Sequence, residues 1–166
     1  MLLGSALMFA GNPQSPDAST SVTIGGKTIS IKYSAPSVRG RTIFGPSGLI
    51  SKDGTWPVWR TGADSATSLH TDAALDIKGL AVPAGDYTVF TLVNVMPWQL
   101  IINKQTKQWG LTYKPDMDLG RVPMTIMKPA SPIELFKISL SSEGGNKGKL
   151  QLEWENVVAS VPFTVK

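Results

Sequence analysis

The sequence contains no cysteine and only one histidine among its 166 residues. The lack of thiols excludes disulfides, thiolate metal sites and cysteine nucleophiles. A single imidazole also excludes a histidine-rich metal cage. We therefore expect no metal centre, and no motif in the chain points to a cofactor.

Charged residues are scarce as well, at 17% of the chain against 42% hydrophobic residues. This composition is typical of a folded globular protein and not of a disordered one. The net charge is +4, but the lysines are scattered singly, so we expect no nucleic-acid-binding surface. The charge favours a weak attraction to anionic ligands instead.

Long apolar runs are also missing. The apolar residues 1–10 make up about half of the ~20 residues that a membrane-spanning helix needs, so no integral membrane span is expected. The run resembles the apolar part of a secretory signal, although no lysine or arginine precedes it. We expect residues 1–20 to form a signal peptide, or a disordered leader and linker, ahead of a single domain over residues 21–166. The predicted location is therefore periplasmic or secreted. In the alternative interpretation, the apolar run is a disordered tail or a strand packed on the domain.

Apolar residues alternate with polar ones through most of the chain, and no segment has a sustained helical period. Two alternating segments, 21–24 and 27–34, flank Gly25-Gly26, which predicts a β-hairpin. Segment 87–93 is apolar on both faces and should be a central strand. The fold class predicted is all-β, an antiparallel β-sandwich of the two-sheet roll or jelly-roll type with almost no helix. Further strands are predicted at residues 58–61, 66–71, 73–77, 98–103, 121–127, 134–141, 149–155 and 159–165. The predicted core includes Ile31, Tyr33, Val89, Leu100, Ile126, Leu152 and Trp154.

Two short segments, 33–41 and 56–70, hold three of the four arginines and the only histidine. If segments 58–61 and 66–71 form a hairpin centred on Ser65, then Arg60 and His70 lie opposite each other on the outer face. Arginine in that position would lower the pKa of the histidine. The long loop at 36–55 would bring further arginines near, with its apolar residues tucked in as anchors.

Arginine offers paired donors to carboxylate, phosphate or sulfate groups. Our main hypothesis is therefore a non-enzymatic domain that binds a small polar or anionic ligand, with exposed tryptophans also suited to a glycan. The predicted ligand-binding residues are Arg39, Arg41, Trp59, Arg60, Asp64 and His70.

Two alternatives stay open. A hydrolase could use His70 as general base, with Asp64 or Asp72 as the acid, although no Gly-x-Ser-x-Gly motif identifies a nucleophile. A structural or assembly domain could meet partners through edge strands, with Arg60 and Asp64 forming a structural ion pair.

Several motifs occur together along the chain. Residues 33–45 read Tyr-Ser-x-Pro-Ser-x-x-Gly-Arg-x-Ile-Phe-Gly, residues 58–63 read Val-Trp-Arg-Thr-Gly-Ala, and residues 152–156 read Leu-Glu-Trp-Glu-Asn. This combination resembles the bacterial domain-of-unknown-function family 2911 (DUF2911) over residues 21–166. The resemblance implies an exported bacterial protein and brings no established activity, cofactor or catalytic residue. The resemblance implies a Tyr-Gly-Lys-like sequence ahead of the Val-Trp-Arg-Thr run. Residues 53–57, which read Asp-Gly-Thr-Trp-Pro, depart from it, so no cation is expected just before Val58.

Overall fold

The structure is a computed structural model that describes residues 15–166. Residues 1–14, which hold most of the predicted leader, lie outside the described residues. The described chain forms thirteen β-strands and two short 3-10 helices, at Ile50–Lys52 and Pro115–Met117. The strands are β1 (Asp17–Ile24), β2 (Lys27–Ser34), β3 (Val58–Trp59), β4 (Thr67–Thr71), β5 (Leu75–Ile77), β6 (Leu80–Val82), β7 (Gly85–Leu92), β8 (Gln99–Asn103), β9 (Asp118–Pro123), β10 (Thr125–Met127), β11 (Ile133–Gly144), β12 (Lys147–Glu155) and β13 (Val157–Val165).

The strands form two antiparallel sheets that pack face to face. The first sheet has the order β1-β2-β4-β7-β8-β9, with β3 also paired to β7. The second sheet has the order β11-β12-β13-β5-β6, with β10 also paired to β13. The all-β sandwich predicted from the sequence is confirmed, and β7 lies inside its sheet as predicted. No helix in the described range, residues 15–166, is long and apolar enough to cross a membrane.

Alternation explains the clearest elements. In β12 the apolar residues Leu150, Leu152 and Trp154 are buried, while the polar residues between them are half exposed. The predicted hairpin is also present, since β1 and β2 pair around Gly25-Gly26, and both glycines adopt a positive φ. Glycine reaches this conformation without the steric cost that a side chain would add.

An aromatic cluster fills the centre of the core. The rings of Trp59 and Trp154 stack at 5.9 Å between centroids, and Trp59 also meets Phe136 at 5.0 Å. From the long loop after β2, Phe44 packs edge-on against Trp59, and Ile43 beside it is fully buried. The apolar residues of this loop therefore anchor it to the core, as the sequence predicted.

One predicted strand is wrong, because residues 121–127 form parts of two strands in different sheets. The chain crosses from β9 to β10 at Met124, whose backbone N–H donates to the carbonyl of Trp98 at 2.8 Å. The crossing buries Met124 and leaves Ile126, which was predicted to lie in the core, only partly buried at its edge. The other six predicted core residues are buried.

The structure also differs from the sequence prediction at the start of β1 and at β6. β1 begins at Asp17, four residues before the predicted start, because the segment pairs with β2 as far as Ser34. Residues 17–20 therefore belong to the sheet and not to a linker. The short strand β6 was not predicted at all.

Candidate functional site

The two strands that carry the predicted site do not form a hairpin. β3 and β4 lie end to end along the same edge of β7, with Trp59 opposite Thr91 and His70 opposite Asp86. These partners are five positions apart on β7, or about 17 Å at ~3.4 Å per residue. The prediction that Arg60 and His70 face each other is therefore wrong, although Trp59 and Leu69 both face the core as expected.

The loop between β3 and β4 is held by buried threonine hydroxyls. Thr61 has a φ of 55° and its Oγ1 lies 2.8 Å from Oγ1 of Thr91. The hydroxyl of Thr67 donates to the carbonyl of Thr61 at 2.7 Å. A β-branched residue rarely adopts a positive φ, so these contacts hold the loop out of the line of the strand. The displaced loop presents Arg60 and Asp64.

A cleft of about 240 Å³ separates this loop from the long loop after β2. We call it the arginine cleft, because its lining includes Arg39, Arg41 and Arg60. Trp59 and Asp64 line it too, so the structure brings together five of the six predicted ligand-binding residues. His70 lies elsewhere. Sequence reasoning assigned none of the other lining residues to a site, among them Ser37, Asp53 and Trp154.

Two arginines of the cleft, Arg41 and Arg60, donate hydrogen bonds to backbone oxygens. Arg41 donates from Nε to the carbonyl of Val38 at 3.0 Å and from Nη2 to that of Ser37 at 2.7 Å. Arg60 donates from Nη1 to the carbonyl of Asp64 at 3.2 Å, and its Nε is buried without a hydrogen-bond partner among the described residues. Within residues 15–166, neither Arg41 nor Arg60 forms an ion pair with a carboxylate. Their two positive charges are therefore not neutralised by direct contact.

Asp53 contributes a carboxyl group to the same cleft. Its burial raises its pKa above the ordinary value of 3.8, although the positive charge of Arg60 acts in the opposite direction. Desolvation disfavours the charged form of a carboxyl group, so Asp53 is a weak counter-ion for the arginines. No pattern in the sequence distinguishes this aspartate, because its burial follows from the fold of the long loop.

Arg60 is positioned from its other side by the loop after β8. Its guanidinium lies 5.6 Å from the ring centroid of Trp109, within range of a cation–π interaction. Gly110 packs against the side chain of Arg60 and donates its N–H to the carbonyl of Asp64 at 3.0 Å. The backbone at Arg39 and Asp64 also has positive φ angles, of 51° and 59°. Such conformations concentrate at functional sites.

His70 belongs to a different cluster. Its Nδ1 lies 2.7 Å from Oδ1 of Asp86, and its Nε2 lies 2.9 Å from Oδ1 of Asp72. The hydrogen bonds to Asp72 and then Asp86 raise the pKa of His70 above 6.5, where the sequence predicted a lowered pKa beside an arginine. Both ring nitrogens face carboxylates, so neither offers a lone pair to activate a nucleophile while these contacts last.

Metal binding draws no support from these clusters, since residues 15–166 contain no group of three or more histidine, aspartate or glutamate side chains placed to hold an ion.

A known protein family matches most of the chain. The family described as "Protein of unknown function (DUF2911)" matches residues 15–163, and the chain therefore belongs to this family. The resemblance seen in the sequence is confirmed. No curated protein and no solved structure matches the chain.

Proposed function

We propose that this member of the DUF2911 family binds a small anionic ligand in the arginine cleft, without catalysing a reaction on it. The observation that carries the proposal is the convergence of Arg39, Arg41 and Arg60 on one cleft, where Arg41 and Arg60 contact no carboxylate of the described residues. Guanidinium groups recognise carboxylate, sulfate and phosphate through paired charge-assisted hydrogen bonds.

The size and lining of the cleft narrow the class of ligand. Its volume of about 240 Å³ is smaller than that of a typical drug-binding pocket. Trp59 and Trp154 give it an apolar wall, and both are almost fully buried in the core. A compact anion with a short apolar or planar body fits this combination better than a large polyanion. The carboxyl group of Asp53 can accept a hydrogen bond from a hydroxyl or ammonium group on the same ligand.

Titration of the protein with sulfate, phosphate, acetate and benzoate, followed by isothermal calorimetry and tryptophan fluorescence, tests the proposal. We expect saturable binding of at least one of these anions. Arg60→Leu should weaken it by roughly tenfold to a hundredfold, because a hydrogen bond to a charged group contributes about 1.5–3 kcal/mol. Arg121→Leu is the matched control: it removes the same charge from β9, where Arg121 contacts Asp118 and Tyr113 outside the cleft.

Three outcomes would count against the proposal. One is the absence of saturable binding by any of the four anions. Another is an equal loss of binding in Arg60→Leu and Arg121→Leu, which would indicate a general attraction to positive charge. The third is unfolding of Arg60→Leu together with unchanged binding in the folded Arg60→Lys variant, which would make Arg60 a structural residue.

The two alternatives from the sequence are less well supported. A hydrolase that uses His70 as general base requires a free ring nitrogen, and both nitrogens of His70 contact aspartates. A purely structural domain would have flat surfaces and arginines paired to carboxylates, whereas Arg60 lines a concave cleft and forms no such pair within residues 15–166.

We further propose a periplasmic or secreted location, on the basis of the apolar residues 1–10 and the family resemblance. Mass spectrometry of the protein isolated from its native host tests this. We expect a mature N-terminus that lacks the apolar residues, and an intact N-terminus in the cytoplasmic fraction would contradict the proposal.

A further inference from the structure

A second concave surface lies on the outer face of the first sheet, apart from the arginine cleft. It consists of two adjoining cavities, of about 720 Å³ and 470 Å³. The two cavities share Lys32, Ser65, Ala66 and Ser68, and we call them together the outer groove. The groove crosses β7, β4, β2 and β1, which are consecutive in the sheet. The four strands are separated by three spacings of ~4.8 Å, so the groove is about 14 Å long across the sheet. This length suits a chain molecule better than a single small ion.

The floor of the outer groove is rich in hydroxyl groups because of strand alternation. Ile29, Ile31 and Leu69 take the inner face of β2 and β4, so the residues between them point outward. Register then aligns Lys32 with Ser68 across the two strands. The serine and threonine residues that line the groove are Ser19, Ser30, Ser34, Ser65, Ser68 and Thr106.

The loop after β8 forms one wall of the groove. The hydroxyl of Thr88 on β7 donates to the carbonyl of Gln105 at 2.7 Å and fixes the loop over the sheet. Gln108 lines the groove, and its side-chain nitrogen is buried without a hydrogen-bond partner in the part of the chain that the structure describes. A desolvated amide of this kind gains from a ligand that can accept its hydrogen bond.

The charges around the outer groove are balanced. Lys32 and Lys107 line it, and His70 adds a third positive charge when it is protonated. They are matched by Asp17 and Asp86, which also line the groove, and by Asp72, which holds His70. A charge-balanced surface with interspersed donors and acceptors complements a neutral ligand with many hydroxyl groups, in contrast to the arginine cleft.

We propose that the outer groove binds a neutral oligosaccharide. Sugar hydroxyls can donate to Asp86 and accept from Lys32 and Gln108. Trp109 lines neither cavity and its ring contacts Arg60, so the proposal depends on the polar groups of the groove and not on stacking against this ring. A peptide is less suitable, because the groove lies on the face of a sheet whose backbone groups are already paired, and peptides typically add to sheet edges.

The experiment is an amide NMR titration of the full chain with cellohexaose, laminarihexaose, maltohexaose and chitohexaose. We expect at least one of them to give saturable shifts in β2, β4 and the loop over residues 104–108. Ser68→Tyr fills the groove from an exposed position on its floor and should weaken this binding at least tenfold. Thr23→Tyr is the control, since Thr23 is exposed on β1 and lines neither cavity.

The proposal is independent of anion binding, because Arg60 lines the arginine cleft and not the outer groove. Arg60→Leu should therefore leave the oligosaccharide titration unchanged. It is overturned if none of the four oligosaccharides gives saturable shifts at millimolar concentration, or if the shifts cluster at the arginine cleft. It is also overturned if Ser68→Tyr and Thr23→Tyr weaken binding equally. Should Ser68→Tyr fail to fold, Gln108→Ala takes its place with the same expected loss, and unchanged binding in that variant overturns the proposal.

Discussion

His70 and Asp86 face each other across β4 and β7, with Nδ1 2.7 Å from Oδ1. The other ring nitrogen lies 2.9 Å from Asp72, whose second oxygen accepts the backbone N–H of Thr28 on β2 at 3.1 Å. Two ionised carboxylates require two N–H donors, and only the imidazolium form of histidine has both. When His70 is protonated, the cluster joins three strands through a charged histidine.

The stability of the protein should depend on pH through this cluster. The pKa of His70 is raised, so its contribution is complete below the unfolded value of 6.5 and is lost as the pH rises through the folded pKa. The pKa of Asp72 is lowered, so its contribution is complete above the unfolded value of 3.8 and is lost as the pH falls through the folded pKa. We therefore expect the difference in the free energy of unfolding between the wild type and His70→Gln to be largest between pH 3.8 and pH 6.5.

Urea denaturation of both proteins across this pH range measures the difference. The side chains of His70 and Asp72 are each nearly half exposed, so the effect should be modest and should shrink when salt is added. A difference between the two proteins that stays constant from below pH 6.5 into the alkaline range would contradict the charged cluster.

The central aromatic cluster should dominate the stability of the sandwich. Trp154 stacks on Trp59, contacts Phe44 and Phe136, and donates from Nε1 to the carbonyl of Glu134 at 3.0 Å. Trp154→Ala should lower the free energy of unfolding by about 3–5 kcal/mol, because it leaves a large cavity among rings that cannot collapse into it.

Trp109→Ala is the matched control for that experiment. Trp109 is exposed and contacts Arg60 through its ring, so its loss should cost less than about 1 kcal/mol. Equal losses in the two variants, measured by urea denaturation, would show that the stacked rings are not the centre of the core.

The threonine contacts that shape the loop after β3 make a separate prediction. Thr67 is fully buried and its hydroxyl donates to the carbonyl of Thr61. Thr67→Val keeps the volume but removes the donor, so we expect a loss of about 1–3 kcal/mol in the free energy of unfolding. Thr125→Val, at an exposed position on β10, should change it by less than about 0.5 kcal/mol. Indistinguishable effects of the two substitutions would contradict this account of the loop.

Much of the fold follows from local sequence pattern. Alternation identifies β12 because one face of it is buried and the other is not. The glycine pair identifies the first hairpin because few residues other than glycine adopt that turn readily. The two-sided apolar character of β7 places it inside a sheet, where neighbours and the aromatic residues cover both of its faces.

The errors arise where pairing depends on distant residues. Segments 58–61 and 66–71 carry a plausible turn between them, but β3 and β4 both pair with β7 instead. Nothing in the local pattern decides between these pairings. The change of sheet at Met124 is equally a matter of long-range contact, through the carbonyl of Trp98.

The difference between local pattern and long-range pairing also explains which residues of the candidate site could be placed from the sequence. Arg41 and Arg60 could be associated from the sequence because each lies next to residues that anchor its loop in the core, Ile43 and Trp59 respectively. His70 could not be placed, because its partner Asp86 depends on the register between β4 and β7. A shift of one residue in register turns a side chain to the opposite face.

The arginine cleft depends on a close approach at Gly110. A Cβ at this position would collide with the Cδ atom of Arg60 and with the carbonyl oxygen of Asp64, which is backbone and cannot easily yield. Gly110→Ala should therefore displace the loop that carries Arg60, lower the free energy of unfolding by about 1–3 kcal/mol and weaken anion binding.

Gly54→Ala is the control for this substitution, because Gly54 lies in the loop that forms the other side of the cleft and a Cβ there meets nothing within 4 Å. It should change the free energy of unfolding by less than about 0.5 kcal/mol and leave anion binding intact. Urea denaturation and the calorimetric titration with the anion that binds the wild type measure the two effects. Gly110→Ala with wild-type stability and wild-type affinity would show that Arg60 is not held in place by this contact. A loss of affinity without a loss of stability would mean instead that the side chain of Arg60 moves alone, and that its position in the cleft, rather than the loop backbone, determines binding.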